Sequence, residues 1–111
     1  MNGYDLFKKL NETISNLETA LNALSKRGRE YAESEKNYRI ALSKSMLLAH
    51  KNGVPATILT DICRGKEKIA NLRFERDVKE TLYKSSIEAI NVYKLEINLL
   101  REQIDREWNN T

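Results

Sequence analysis

The sequence contains very little cysteine, histidine, proline or glycine, and each shortage excludes a class of protein. Its 111 residues include one Cys, one His, one Pro and four Gly. A single cysteine cannot form an intramolecular disulfide, and one Cys with one His cannot complete a four-ligand zinc site. So little Pro and Gly also excludes a collagen-like chain and a flexible linker.

Long hydrophobic runs are missing as well. No apolar stretch approaches the roughly 20 residues that a membrane-spanning helix requires. The first residues also lack the apolar core of a secretory signal. We therefore expect a cytoplasmic protein that has no membrane partner.

Charged residues are abundant instead. They make up 32% of the chain, against 41% apolar residues. With so little Pro and Gly, this composition is typical of long helices rather than of a compact mixed fold. The length suits one domain, so we expect residues 1–111 to form a single helical domain.

Apolar residues at heptad spacing predict a first long helix. Their register advances by alternate steps of four and three residues, which places them on one helical face. The apolar positions are Leu10, Ile14, Leu17, Leu21, Leu24, Tyr31, Tyr38 and Leu42. His50 and Lys51, followed by Gly53, are typical of a helix end. A helix is therefore predicted over about residues 3–51.

A second heptad pattern predicts another long helix, over about residues 66–109. Its steps of three and four residues repeat those of the first helix. The apolar positions are Ile90, Tyr93, Ile97, Leu100, Ile104 and Trp108.

The segment between these helices, about residues 52–65, predicts a short helical elbow. Pro55 suits the first turn of a helix, where a backbone N–H is not needed. We expect Ile58, Leu59 and Ile62 to form the apolar face of this elbow.

Together these elements predict an all-α fold, a long antiparallel two-helix hairpin of the coiled-coil type with a short helical elbow. Leu10 and Ile14 then lie near Ile104 and Trp108. A lone hairpin leaves half of each apolar stripe in water, so we expect self-association through this seam into a dimer or larger bundle. The alternative breaks the first helix near Gly28, a weak helix former, and folds a compact three-helix or four-helix domain.

Basic residues are concentrated in the middle of the chain. Residues 36–73 include eight basic and two acidic residues, a net charge of +6, whereas the rest of the chain has 11 basic and 14 acidic residues. The eight are Lys36, Arg39, Lys44, Lys51, Arg64, Lys66, Lys68 and Arg73. Such a basic surface is the electrostatic footprint of a phosphate-backbone binder. The alternative is that these side chains only keep a coiled-coil surface soluble.

Polar residues interrupt the predicted seam near its middle. Glu35 lies in the seam of the first helix, with Arg39 one turn away. Arg76, Lys79 and Tyr83 lie in or beside the facing seam. A polar layer sets the register or the oligomeric state of a coiled coil. The alternative is a basic groove that binds a ligand or nucleic acid.

No pattern in the sequence supports catalysis. There is no glycine-rich phosphate loop and no repeated Glu-x-x-His of a di-iron bundle. Cys63 and His50 flank the elbow, but a nucleophilic pair needs a third orienting group and a pocket. We expect no enzyme activity, no catalytic residue, no metal and no cofactor.

Three parts of the sequence carry a family resemblance. They are EKNYRIAL at residues 35–42, GVPATI at 53–58 with CRG at 63–65, and LRFERDV at 72–78 with YK at 83–84. These segments resemble small helical proteins encoded by phages and prophages of Gram-positive bacteria. The layout is also similar to phage recombination-mediator proteins, which are helical oligomers that bind single-stranded DNA and help to load a recombinase. The resemblance implies a bacterial host cell and a role in recombination or replication.

Two functions follow as hypotheses. The first is a non-enzymatic, phage-type accessory protein that binds single-stranded nucleic acid through the basic residues. The second is a structural or adaptor coiled coil that binds a partner protein without touching nucleic acid. Its candidate contacts near the elbow are Leu47, Leu48, Ile58, Leu59 and Ile62.

Overall fold

The structure is a computed structural model that describes residues 2–109. This part of the chain consists of two long helices and one short helix. Helix α1 spans Gly3–Lys51, α2 spans Leu59–Arg64 and α3 spans Glu67–Asn109. The all-α fold with two long helices and a helical elbow is confirmed. Because α1 passes through Gly28 without a break, the alternative with a divided first helix is wrong.

Specific hydrogen bonds determine where α1 begins and ends. The side-chain oxygen of Asn2 accepts a hydrogen bond of 2.9 Å from the backbone N–H of Asp5, which is an N-cap. At the other end, Gly53 has a φ of 89°. Its N–H donates to the carbonyl of His50, and the N–H of Val54 donates to the carbonyl of Ala49, at 3.1 and 3.0 Å. This pair of bonds is a Schellman motif, so the chain leaves α1 at the glycine that the sequence pattern indicates.

The elbow differs from its prediction. The N–H of Ile58 donates to the carbonyl of Pro55 in a turn, and α2 begins only at Leu59. The placement of Pro55 inside the short helix is therefore wrong. Ile58 and Ile62 are 45% and 43% exposed, because α2 turns Leu59 and Cys63, four residues apart, toward the core.

The chain divides into two compact units, Met1–Lys26 with Lys84–Thr111, and Arg27–Tyr83. We call them the terminal unit and the elbow unit. In the terminal unit, Leu6 forms a buried cluster with residues near the end of α3, and Leu10 packs against it. The cluster consists of Leu6, Leu100 and Ile104. The start of α1 thus packs on the end of α3, in the predicted antiparallel sense.

The core of the elbow unit surrounds the cysteine. Cys63 is fully buried and clusters with Ala49 and Leu59. Leu42, Met46 and Val54 pack around this cluster. The thiol is therefore a small apolar side chain of the core, and α2 is anchored by it to the last turn of α1.

The buried face of α1 is displaced from the predicted seam in the terminal unit. Leu6 and Thr13 are buried there, whereas Leu21 is 45% exposed. In the elbow unit, Tyr38 and Ala49 are buried in the predicted register. A strict heptad drifts by about 20° per seven residues on a straight helix, or one residue position over five heptads. The placement of Leu21 in the hairpin seam is therefore not supported, while an oligomer seam there stays a prediction.

The buried face of α3 follows its heptad pattern until the last turn. Ile90, Ile97, Leu100 and Ile104 are all buried, but Trp108 is 68% exposed. Trp108 lines an open cleft beside Gly3, Tyr4 and Phe7 at the start of α1. The placement of Trp108 in the hairpin seam is therefore not supported, while an oligomer seam there stays a prediction.

Gly28 offers a test of the packing inside the elbow unit. A Cβ at this position would meet the ring of Tyr83 at 3.8 Å, an ordinary contact. Because glycine is a poor helix former, we expect Gly28→Ala to raise the free energy of unfolding by about 0.5–1 kcal/mol, measured by denaturant titration. Gly53→Ala is the control and should lower the free energy of unfolding, since Gly53 has a φ of 89°, a conformation that alanine adopts only with strain. A loss of stability in Gly28→Ala would contradict the described packing.

Candidate nucleic-acid interface

A polar layer crosses the elbow unit between α1 and α3. The Glu35 carboxylate accepts a hydrogen bond of 2.6 Å from Nε of Arg39. Its other oxygen lies 3.5 Å from Nη1 of Arg76 on the facing helix. The Arg76 guanidinium also lies 4.7 Å from the centre of the buried Tyr38 ring, within the range of a cation–π contact. The predicted meeting of these polar residues is confirmed.

Arg76 is held by a second carboxylate. Its Nε and Nη2 donate to the same oxygen of Asp77, at 3.1 and 2.8 Å. The hydrogen bond to Asp77 is the main cause that raises the pKa of Arg76 above its ordinary value. Carboxylates on two sides, those of Glu35 and Asp77, therefore already compensate the charge of this guanidinium.

The polar layer continues toward Gly28. Nζ of Lys79 lies 3.7 Å from a Glu30 carboxylate oxygen. The rings of Tyr31 and Tyr83 meet at a centroid distance of 6.0 Å and an angle of 53°. Such partly exposed ion pairs contribute at most about 1 kcal/mol each. These paired groups are suited to fixing the helix register more than to adding stability.

All the basic residues predicted to contact nucleic acid are exposed side chains of the elbow unit. They are Lys36, Arg39, Lys44, Lys51, Arg64, Lys66, Lys68 and Arg73. Asp61 and Glu67, the two acids in the same stretch of sequence, are exposed as well. The structure therefore brings the predicted residues into one unit but distributes them over more than one of its faces.

One group of these residues lines a cleft of about 420 Å³, which we call the arginine cleft. Arg39, Arg64 and Arg76 contribute its positive charge, and Glu35 contributes a negative charge. Tyr38, Leu42, Ser43 and Met46 complete the lining. Arg39 and Arg76 are the residues already engaged by Glu35, so much of the charge in this cleft is compensated within the protein.

A second group lines a separate cleft of about 280 Å³, which we call the lysine cleft. Its charged residues are Lys44 on α1, Lys66 just before α3 and Lys68 in the first turn of α3. Ala41, Ser45, Leu48 and Ile69 form its floor. Within residues 2–109, no carboxylate oxygen forms an ion pair with any of these three lysines.

The elbow unit also has an acidic cleft that sequence reasoning missed. Glu30, Glu33 and Glu75 line it together with Lys79, in a volume of about 310 Å³. The signal is present in the sequence, since Glu30, Glu33 and Asn37 are spaced by three and four residues on one face of α1. The charge count over residues 36–73 misses the cleft, because Glu30, Glu33 and Glu75 lie just outside that stretch.

The remaining candidate groups do not assemble into a reactive site. Cys63 is fully buried whereas His50 is exposed. Residues 2–109 contain no group of three His, Cys, Asp or Glu side chains placed to bind a metal. Tyr38 is 4% exposed, so its ring is packed in the core and not available for base stacking.

Comparisons of this chain with protein-family models, with curated proteins and with solved structures find no match. Of the helices between residues 2 and 109, none is both long enough and apolar enough to cross a membrane.

Proposed function

We propose that this protein is a non-enzymatic accessory protein that binds single-stranded nucleic acid through the basic surface of the elbow unit. The observation that supports this proposal is the exposure of every basic side chain between residues 36 and 73, with only two acids in the same stretch. Lysine and arginine contacts to phosphates give affinity with little sequence preference. The resemblance to phage proteins adds the expected setting, recombination or replication in the cytoplasm of a bacterial host.

Binding should be strongly sensitive to salt. Each phosphate contact on a single strand contributes about 0.7 to the slope of log affinity against log salt. Between about 50 and 200 mM salt, three contacts weaken binding by about 20-fold and eight by about 2,000-fold. Fluorescence anisotropy with a labelled single-stranded oligonucleotide measures this slope. The absence of binding at about 50 mM salt, where counterion release favours it most, would overturn the proposal.

A charge-reversal pair tests where the binding surface lies. Arg64→Glu with Lys66→Glu and Lys68→Glu should abolish most of the binding, because all three side chains are exposed on the elbow unit. The matched control is Lys8→Glu with Lys9→Glu and Lys94→Glu. These lysines are also exposed but belong to the terminal unit, so the control changes the net charge equally. Equal losses in both variants would show only a net-charge effect.

Self-association is part of the proposal, and an exposed stripe on α3 of the terminal unit supports it. Val92, Leu95 and Leu99 are 50–59% exposed and follow one another by three and four residues, as in a coiled-coil seam. The stripe lies about 200° around the helix from Ile97 and its buried row. Asn91 and Asn98 flank it on one side, and Glu96 flanks it on the other.

The accessible surface of the chain indicates how much area such an interface has available. The surface is 8250 Å², whereas a folded monomer of this mass exposes about 6,300 Å². The excess of about 1,900 Å² is larger than the roughly 800 Å² that each partner contributes to a standard interface. We therefore propose a second copy of this chain as the partner of the α3 stripe.

A second candidate function, an adaptor that binds a protein partner without nucleic acid, is favoured by a different feature. Tyr4, Phe7 and Trp108 line an apolar cleft of about 310 Å³ in the terminal unit, together with Gly3 and Glu107. Clefts of this kind accept the apolar face of a partner helix. If self-association leaves this cleft open, the adaptor function keeps a binding surface, and if self-association closes it, the adaptor function loses one.

A further inference from the structure

The two basic clefts of the elbow unit differ in how far their charges are already compensated. In the arginine cleft, a phosphate would meet the Glu35 carboxylate beside Arg39 and Arg76, both of which are ion-paired to it. In the lysine cleft, none of the lining residues is acidic. We propose that single-stranded nucleic acid binds in the lysine cleft and not in the arginine cleft. This inference rests on the proposed function.

The floor of the lysine cleft suits the face of a nucleobase. Leu48 is 57% exposed, and the partly buried Ala41 lines the same cleft beside the buried Ile69. Lys44, Lys66 and Lys68 line the same cleft, so the phosphates of a strand whose base lies there would meet positive charge. In a duplex the base faces are stacked and hidden. A single strand can use the floor and the lysines together, whereas a duplex can use the lysines alone.

The test compares two triple variants that remove the same number of charges. Lys44→Gln with Lys66→Gln and Lys68→Gln removes the three positive charges of the lysine cleft. Arg39→Gln with Arg64→Gln and Arg73→Gln removes three exposed positive charges outside it. At about 50 mM salt, we expect the lysine variant to lose binding at least about 10-fold and its salt slope to fall by about 2. The arginine variant should lose less than about 3-fold, with a slope change below about 1.

The outcomes separate this inference from the proposed function. If the unaltered protein binds no oligonucleotide, the proposed function fails and the inference fails with it. If the unaltered protein binds but the arginine variant loses as much as the lysine variant, the cleft assignment alone is overturned. Binding of a glutamate-rich amphipathic peptide, without any oligonucleotide binding, would assign the cleft to a protein partner and also overturn it.

Discussion

Replacing Leu100 by alanine is expected to lower the free energy of unfolding by about 2–5 kcal/mol. Leu100 is 6% exposed and shares a buried cluster with Leu6 and Ile104. Truncation removes apolar contacts and leaves a cavity that two helices can close only in part. Because this cluster is the core of the terminal unit, few other contacts can compensate for the loss. Denaturant titration followed by circular dichroism measures the change.

The neighbouring leucine is the natural control. Leu99 is 51% exposed, so Leu99→Ala should change the stability of the single chain by no more than about 0.5 kcal/mol. If Leu99 takes part in self-association, the loss of stability caused by Leu99→Ala should grow with protein concentration, because association stabilises the folded state by mass action. The effect of Leu100→Ala should appear at every concentration. A small effect of Leu100→Ala would contradict the described core.

Replacing Leu95 and Leu99 together by glutamate is expected to convert a self-associating protein into a single chain in solution. Each leucine contributes about 1.5–3 kcal/mol when it is buried, and a carboxylate in its place opposes burial unless it is paired. The expected weakening of self-association is more than about 100-fold. Sedimentation equilibrium over a range of concentrations measures the mass. Both side chains are more than half exposed, so the helix itself should remain folded.

The control adds two glutamates to α1 in the same unit. Asn11→Glu with Ser15→Glu has the same four-residue spacing and the same change in charge, at positions that are exposed and outside the α3 stripe. It should self-associate as the unaltered chain does. If the unaltered chain has the mass of one copy at all concentrations, the proposed self-association is wrong. If the control dissociates as fully as the leucine variant, charge and not the stripe explains the result.

These surfaces use different residues, so their roles can be measured independently. The α3 stripe belongs to the terminal unit, and the lysine cleft belongs to the elbow unit. The lysine-cleft variant should therefore keep its self-association. The leucine variant should keep the salt slope of oligonucleotide binding for each chain, since its lysines are intact.

The secondary structure could be predicted from the sequence because local signals agree with one another. The heptad rows, the absence of Pro between residues 3 and 51 and the cationic last turn before Gly53 all indicate the same helix. The Schellman bonds at Gly53 and Val54 are the structural form of that signal. Helix propensity and capping depend on residues only a few positions apart, so one sequence is sufficient to read them.

Burial at single positions could not be predicted so well. Leu21 and Trp108 fit their heptads but are exposed. A straight helix drifts from a 3.5-residue repeat, and Trp108 lines an open cleft at the start of α1. In the elbow, Leu59 and Cys63 are buried while Ile58 and Ile62 are not. The difference depends on a turn at Pro55 that delays α2 by several residues, and no periodicity reports such a delay.

The chain's own sequence determined that this protein has two long helices joined by an elbow. It also determined that the positive charge is concentrated between residues 36 and 73. The tertiary structure alone decided which of those charges are compensated. Glu35 reaches Arg76 only because α1 and α3 are adjacent at that level, while Lys44 on α1 and Lys68 on α3 line one cleft that has no carboxylate. Charge is a property of each residue, whereas its compensation depends on distances between side chains that are far apart in sequence. For this reason the lysine cleft became visible only in the folded chain.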